Sequence, residues 1–96
     1  MKINFINEAI GSRLKKFREQ KGYSLQDVGE RLGVNRQTYY NFERGIRTIS
    51  LDLLKRICLI YDVDYLELLE EVRQEYIAYV QHNENVVIQE LEDGDK

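Results

Sequence analysis

Apolar residues recur along this chain at helical spacing. Ile10, Leu14 and Phe17 fall at i, i+4 and i+7, a stripe that predicts a first helix over about residues 7–20, ended by Gly22. Leu25, Val28 and Leu32 repeat the pattern behind Ser24, whose hydroxyl can cap a second helix. Asp27, three residues on, completes a capping-box signature. Gly33 stands where that helix must stop and turn, because glycine accepts the left-handed backbone a stop requires. Asn35 can cap a third helix, over about 36–44, with Val34 placed to pack on Tyr39 across the cap. Tyr39 and Phe42 then face inward, and Arg36, Gln37, Tyr40, Asn41 and Arg44 are left on the outer face. Ser50 caps a fourth helix with Leu51, Leu54, Ile57 and Tyr61 on its inner side. Asp64 and Glu67 suggest another capping box for a fifth, with Val63, Leu66 and Leu69 closing the core. The stripe does not end there. Leu69, Val72, Tyr76 and Tyr79/Val80 carry it to about residue 81. HNEN (82–85) is a polar break, VVIQEL (86–91) is a short β-prone run, and EDGDK is an acidic end.

Ninety-six residues, 43% of them hydrophobic, suit one small domain with an appendage. The single cysteine, Cys58, permits neither an intramolecular disulfide nor a cysteine metal cage, and it reads as a core thiol. MKINFINEAIGSR lacks the apolar run of a signal peptide, and no segment is long enough for a transmembrane helix, so the expected location is cytoplasmic. The net charge of −3 averages two unlike parts. Residues 1–60 carry twelve Lys/Arg against six acids, a balance of +6. Residues 61–96 carry two bases against eleven acids, a balance of −9. The first part is suited to phosphate contact; the second would be repelled by it and should point away.

Two short helices about a glycine turn, the second with a polar, partly basic outer face, have the spacing of a helix-turn-helix. From Ile10 to about Leu69 the chain resembles the lambda-repressor-like (Xre/Cro-type) helix-turn-helix family. IGSRLKKFREQKGYS, the helix pair, FERG, SLDLLKRI and DVDYLELL come in that order. The resemblance implies five packed helices and sequence-specific binding of double-stranded DNA, usually as a dimer. It also implies that Arg18 bonds Glu43 in a partly buried structural ion pair. Three positions depart from the family's pattern. Leu25 stands where a glutamine commonly bridges to the DNA backbone, with Gln26 next to it. Gly29 replaces a usual alanine, and Ile49 a frequent proline.

The chemistry expected of the outer face follows from its side chains. Arg36 can pair with O6 and N7 of guanine, and Gln37 with N6 and N7 of adenine. Asn41 can read adenine, and Tyr40 can touch a thymine methyl or a phosphate. Asn35, Thr38, Arg44 and Arg47 are better placed for phosphates, although Asn35 is also a cap and Thr38 could simply pack against the previous helix; the resemblance implies that Gln26 takes over the displaced glutamine's phosphate contact from a neighbouring angle or that the contact is lost. The bland alternative is a solvated polar helix face. No catalytic constellation, metal cluster or Gly-rich phosphate loop is visible; His82, the sole histidine, reads as an exposed loop residue.

The expected fold is therefore all-α, a five-helix domain over 1–70 with an acidic helical extension over 71–96 that includes the β-prone run. The expected function is non-enzymatic and needs no cofactor. It is transcriptional regulation, as a dimeric repressor at a palindromic operator. The stripe Leu69, Val72, Tyr76 and Val80 is expected to serve dimerisation, because it has no evident place in a five-helix core; the alternative is that it folds back on its own domain. The rival reading is a protein-interaction module of antitoxin or antirepressor type that binds a partner through 71–96.

Overall fold

The computed structural model describes residues 4–82 of the chain. Five helices follow in order: α1 (Phe5–Lys21), α2 (Leu25–Leu32), α3 (Arg36–Glu43), α4 (Leu51–Tyr61) and α5 (Tyr65–His82). The β-prone run at 86–91 lies outside the described residues, as does the acidic end.

Local chemistry sets most of the boundaries. Asn4 caps α1 by accepting from the Asn7 amide at 3.0 Å, so the helix starts two residues before the apolar stripe suggests. The Ser24–Asp27 capping box closes in both directions, at 3.0 and 2.9 Å. Those bonds satisfy two amides that the first turn leaves without a helical partner, and they hold the Asp27 carboxyl below its usual range. Ser50 accepts from the Leu53 amide at 3.2 Å and starts α4. Asp64 accepts from the Leu66 amide at 2.8 Å, two residues on, where the sequence suggested a box with Glu67.

α1 is the central strut, packed on α3, α4 and α5, while α2 packs on α3 and α4. Leu14, Val28, Tyr39, Ile57, Cys58 and Leu68 are almost wholly excluded from water, and Val72 closes the far end. Cys58 is indeed a core thiol, and burial pushes it up to about 11. Two expected core residues lie outside. Leu51 is 57% and Leu66 61% exposed. Each sits at the very start of its helix, where one residue's rotation turns the side chain to solvent. The core stripes instead begin at Leu54 and Leu68.

Of the C-terminal stripe, Val72 takes the alternative course and folds back on its own domain. α5 continues unbroken through residue 70, and Val72 is buried in the chain's own core. Leu69, Tyr76 and Val80 are half-buried. The ring of Phe5 stacks on Tyr79 at 4.3 Å and tilts against Tyr76 at 6.0 Å. Arg13 forms an ion pair with Glu75 and approaches Glu71 at 3.6 Å. Burial of Leu68 and Val72 contributes about 1.5–3 kcal/mol each, against about 0–1 kcal/mol for a surface ion pair. Apolar packing therefore holds α5 on α1, and the Arg13 contacts fix its rotation.

Candidate nucleic-acid interface

α2 and α3 meet at a corner made by Gly33 in the left-handed conformation, φ 76°. Its amide donates back to Glu30, and the Val34 amide donates to Gly29 at 2.9 Å. Asn35 then opens α3, accepting from the Thr38 amide at 2.7 Å. The side chain named as a phosphate candidate is thus already engaged as a cap.

The inner face of α3 is held by a polar network inside the core. Glu43 is the only charged residue buried among the described ones, its side chain 2% exposed. Arg18 grips it with two bonds, Nε to Oε2 at 2.7 Å and an Nη to Oε1 at 3.1 Å, and its other Nη donates to the Tyr23 carbonyl at 3.1 Å. The hydrogen bond to Glu43 raises the Arg18 pKa further, against the opposing effect of burial. Beside this pair, the hydroxyls of Tyr39 and Tyr61 bond to each other in the core. Burial drives both phenols up, Tyr61 to about 12. α3 is therefore tied to α1 and to α4 by directional bonds as well as by apolar contact, which fixes its rotation.

That rotation decides what faces outward. Arg36, Gln37 and Tyr40 are exposed, and Asn41 is half-buried beside them. Gln37 Nε2 donates to Asn41 Oδ1 at 3.1 Å. Arg44 caps the end of α3, with its guanidinium 5.3 Å over the Tyr40 ring. Arg47, in the following loop, lies 6.0 Å from the Phe42 ring. Gln26 is exposed on α2, and its amide donates to Glu30 at 2.9 Å. Thr38 is half-buried. Four side chains of one outward face, each with a hydrogen-bonding end, are thus grouped beside two arginines.

Some of what holds this face was not apparent in the sequence. Tyr40 and Arg44 are four apart on one helix, a spacing that allows their stacking. The Tyr39–Tyr61 pair and the Asn7–Thr48 side-chain bond, 2.9 Å, bring together residues far apart in the chain. Among the described residues, no group of three or more His, Cys, Asp or Glu could hold a metal ion, and no helix is long and apolar enough to cross a membrane.

Fold and site together define a helix-turn-helix protein. The profile of the helix-turn-helix family matches residues 14–68. The chain belongs to this family, in its lambda-repressor-like (Xre/Cro-type) branch. It is 32% identical over 90 residues to the HTH-type transcriptional regulator ImmR of Bacillus subtilis (strain 168), covering 91% of this chain and 71% of ImmR. It is 36% identical over 63 residues to the HTH-type transcriptional regulator SinR of the same organism, covering 65% of this chain and 57% of SinR. The chain thus spans little more than half of SinR's length. A solved structure of SinR in complex with DNA superposes with a TM-score of 0.57 at 34% identity, over 62% of this chain and 97% of that one. The clp gene regulator ClgR from Corynebacterium glutamicum shares the fold over 95% of this chain and 97% of its own, with a TM-score of 0.70 at 23% identity.

Proposed function

We propose that this chain is a sequence-specific double-stranded DNA-binding regulator of transcription that inserts α3 into the major groove. The observation that carries the reading is the outer face of α3, where Arg36, Gln37, Tyr40 and Asn41 stand together on a helix whose rotation is locked from inside. Arg44 and Arg47 flank that face, and Gln26, Asn35 and Thr38 lie at the helix starts beside it. These five are the proposed phosphate contacts. The SinR–DNA complex supports the reading by likeness. Its finer parts are a repressor role, a palindromic operator and a homodimer that sets two copies of α3 about 34 Å apart, one turn of DNA. The dimer contact is assigned to the C-terminal extension, 71–96, and to half-buried Leu69, Tyr76 and Val80. Val72 is not part of it, being buried within the chain. The role is binding rather than catalysis, and a cytoplasmic location follows from it.

Selection of bound sites from random duplex DNA tests this. An enriched motif with two inverted half-sites is expected. Arg36→Ala should weaken specific binding by roughly 1–3 kcal/mol and relax one base position. Arg44→Ala or Arg47→Ala should weaken all sequences alike and lower the salt slope by about one unit. Failure to enrich any sequence would refute the reading. A second reading, a module that binds another protein through its C-terminal part, is favoured by the −9 balance of residues 61–96 and by Leu59 and Leu66 standing exposed on α4 and α5.

A further inference from the structure

Gln37 and Asn41 stand one helical turn apart, joined by the bond from Gln37 Nε2 to Asn41 Oδ1. A glutamine amide carries one acceptor oxygen and a nitrogen with two N–H groups. Giving one N–H to Asn41 has two effects. It restrains a long exposed side chain to one setting, and it fixes which end of the amide is which, because only the nitrogen end can donate to Oδ1. The second N–H and Oε1 are left side by side for a partner. In the major groove adenine offers the matching pair, an acceptor at N7 and a donor at N6. Guanine offers two acceptors, N7 and O6. Its O6 would meet Oε1 with no proton between them.

We infer that Asn41 is a positioning residue, which aligns the Gln37 amide so that the pair reads a single adenine. Each amide alone was expected to read its own base; the bond between them joins the two into one recognition unit. The inference rests on the DNA-binding reading and narrows it to an adenine at one position of each half-site.

The test selects bound sites from random duplex DNA with the full chain and four variants: Gln37→Ala, Asn41→Ala, the double variant and Asn41→Asp, with a thermal melt of each. Wild type should show adenine at one position that Gln37→Ala relaxes. Asn41→Ala should relax that same position, by roughly tenfold to a hundredfold in adenine preference. The double variant should resemble Gln37→Ala alone. Asn41→Asp keeps an oxygen that accepts from Nε2, so the adenine preference should survive while the added negative charge weakens binding to every sequence. A purely structural asparagine would not be rescued at one base position by aspartate. Three results overturn the inference while leaving DNA binding intact: Asn41→Ala relaxing a different position, Asn41→Ala leaving the Gln37 position unchanged, or guanine preferred there, which requires the amide pair to be reversed. If wild type enriches no sequence, the DNA-binding reading itself fails and the inference falls with it.

Discussion

Replacing Gly11 with alanine sets two effects of opposite sign against each other. Gly11 lies inside α1, where alanine is favoured over glycine by about 1 kcal/mol. Yet an added Cβ would lie 2.5 Å from the carbonyl oxygens of both Phe42 and Glu43 and 2.8 Å from the Glu43 carbonyl carbon. Ordinary C···O approaches are about 3.3–3.6 Å, so α1 and α3 would have to part by roughly 0.8–1 Å. The obstacles are backbone, and no rotamer change can relieve them. Overpacking costs about 1–3 kcal/mol where side chains can adjust; with backbone on both sides the upper end applies. The expected net loss is about 2 kcal/mol, which lowers the melting temperature by roughly 8–16 °C in a domain of this size. Gly29 provides the contrast. A Cβ there would meet the Val34 oxygen at 2.9 Å and its other neighbours only at 3.4 Å. Clearing one backbone oxygen there takes roughly 0.4–0.7 Å, less than at Gly11, and is set against the same gain in helix propensity, so Gly29→Ala should cost less than Gly11→Ala. Thermal and urea melts of the two variants decide the matter. If Gly11→Ala melts at or above the wild-type temperature, the close approach of α1 and α3 is not a feature of the folded protein.

Other outcomes are expected from the same physics. Glu43→Ala leaves the Arg18 guanidinium largely buried without its carboxylate and should cost roughly 3 kcal/mol, whereas Glu67→Ala on the surface should change stability by less than about 0.5 kcal/mol; equal melts would refute the buried pairing. Arg13 holds the Glu75 carboxyl below its usual range through a hydrogen bond. The stability from this pair is therefore present above the ordinary carboxylate range and lost as pH falls through the lowered value. Glu75→Gln should thus narrow its gap to wild type in melts taken at progressively lower pH, and a gap that stays constant would contradict the pairing. Cys58 is buried and its thiol raised, so a thiol reagent should label it only as fast as the fold opens. Rapid labelling under native conditions would place it elsewhere.

The legible parts of this chain were the local ones. Ser24 with Asp27, Asn35 and Ser50 act within three residues of themselves, so their spacing sufficed to place the starts of three helices. Tyr39 and Phe42 were placed inward correctly because the residues between them are polar. Leu51 and Leu66 were misplaced because periodicity carries no phase in a helix's first turn, where a residue has no earlier turn to align with. Leu68 was missed because Leu66 with Leu69 and Leu68 with Val72 are equally helical spacings, and the pattern does not choose between them. The Arg18–Glu43 pair spans 25 positions and was anticipated through family resemblance, since no spacing rule reaches that far. The Tyr39–Tyr61 bond, the Arg13 contacts and the tightness around Gly11 depend on how helices dock, which a linear pattern does not encode. The outer residues of α3 were identifiable as a group. The bond that joins Gln37 to Asn41 needed their rotamers.

On α3, the residues that secure the helix and those that face outward are largely different residues. Tyr39, Phe42 and Glu43 are bound into the interior, while Arg36, Gln37 and Tyr40 are exposed, with half-buried Thr38 and Asn41 between the two classes. Mutations of the exposed three therefore meet little resistance from folding. A lineage carrying this scaffold can change its outward surface by single substitutions at 36, 37 and 40 without losing a stable intermediate along the way. Changes at 39, 42 or 43 require a second, compensating change in α1 or α4. Divergent copies should accordingly drift fastest at 36, 37 and 40 and slowest at 39, 42 and 43.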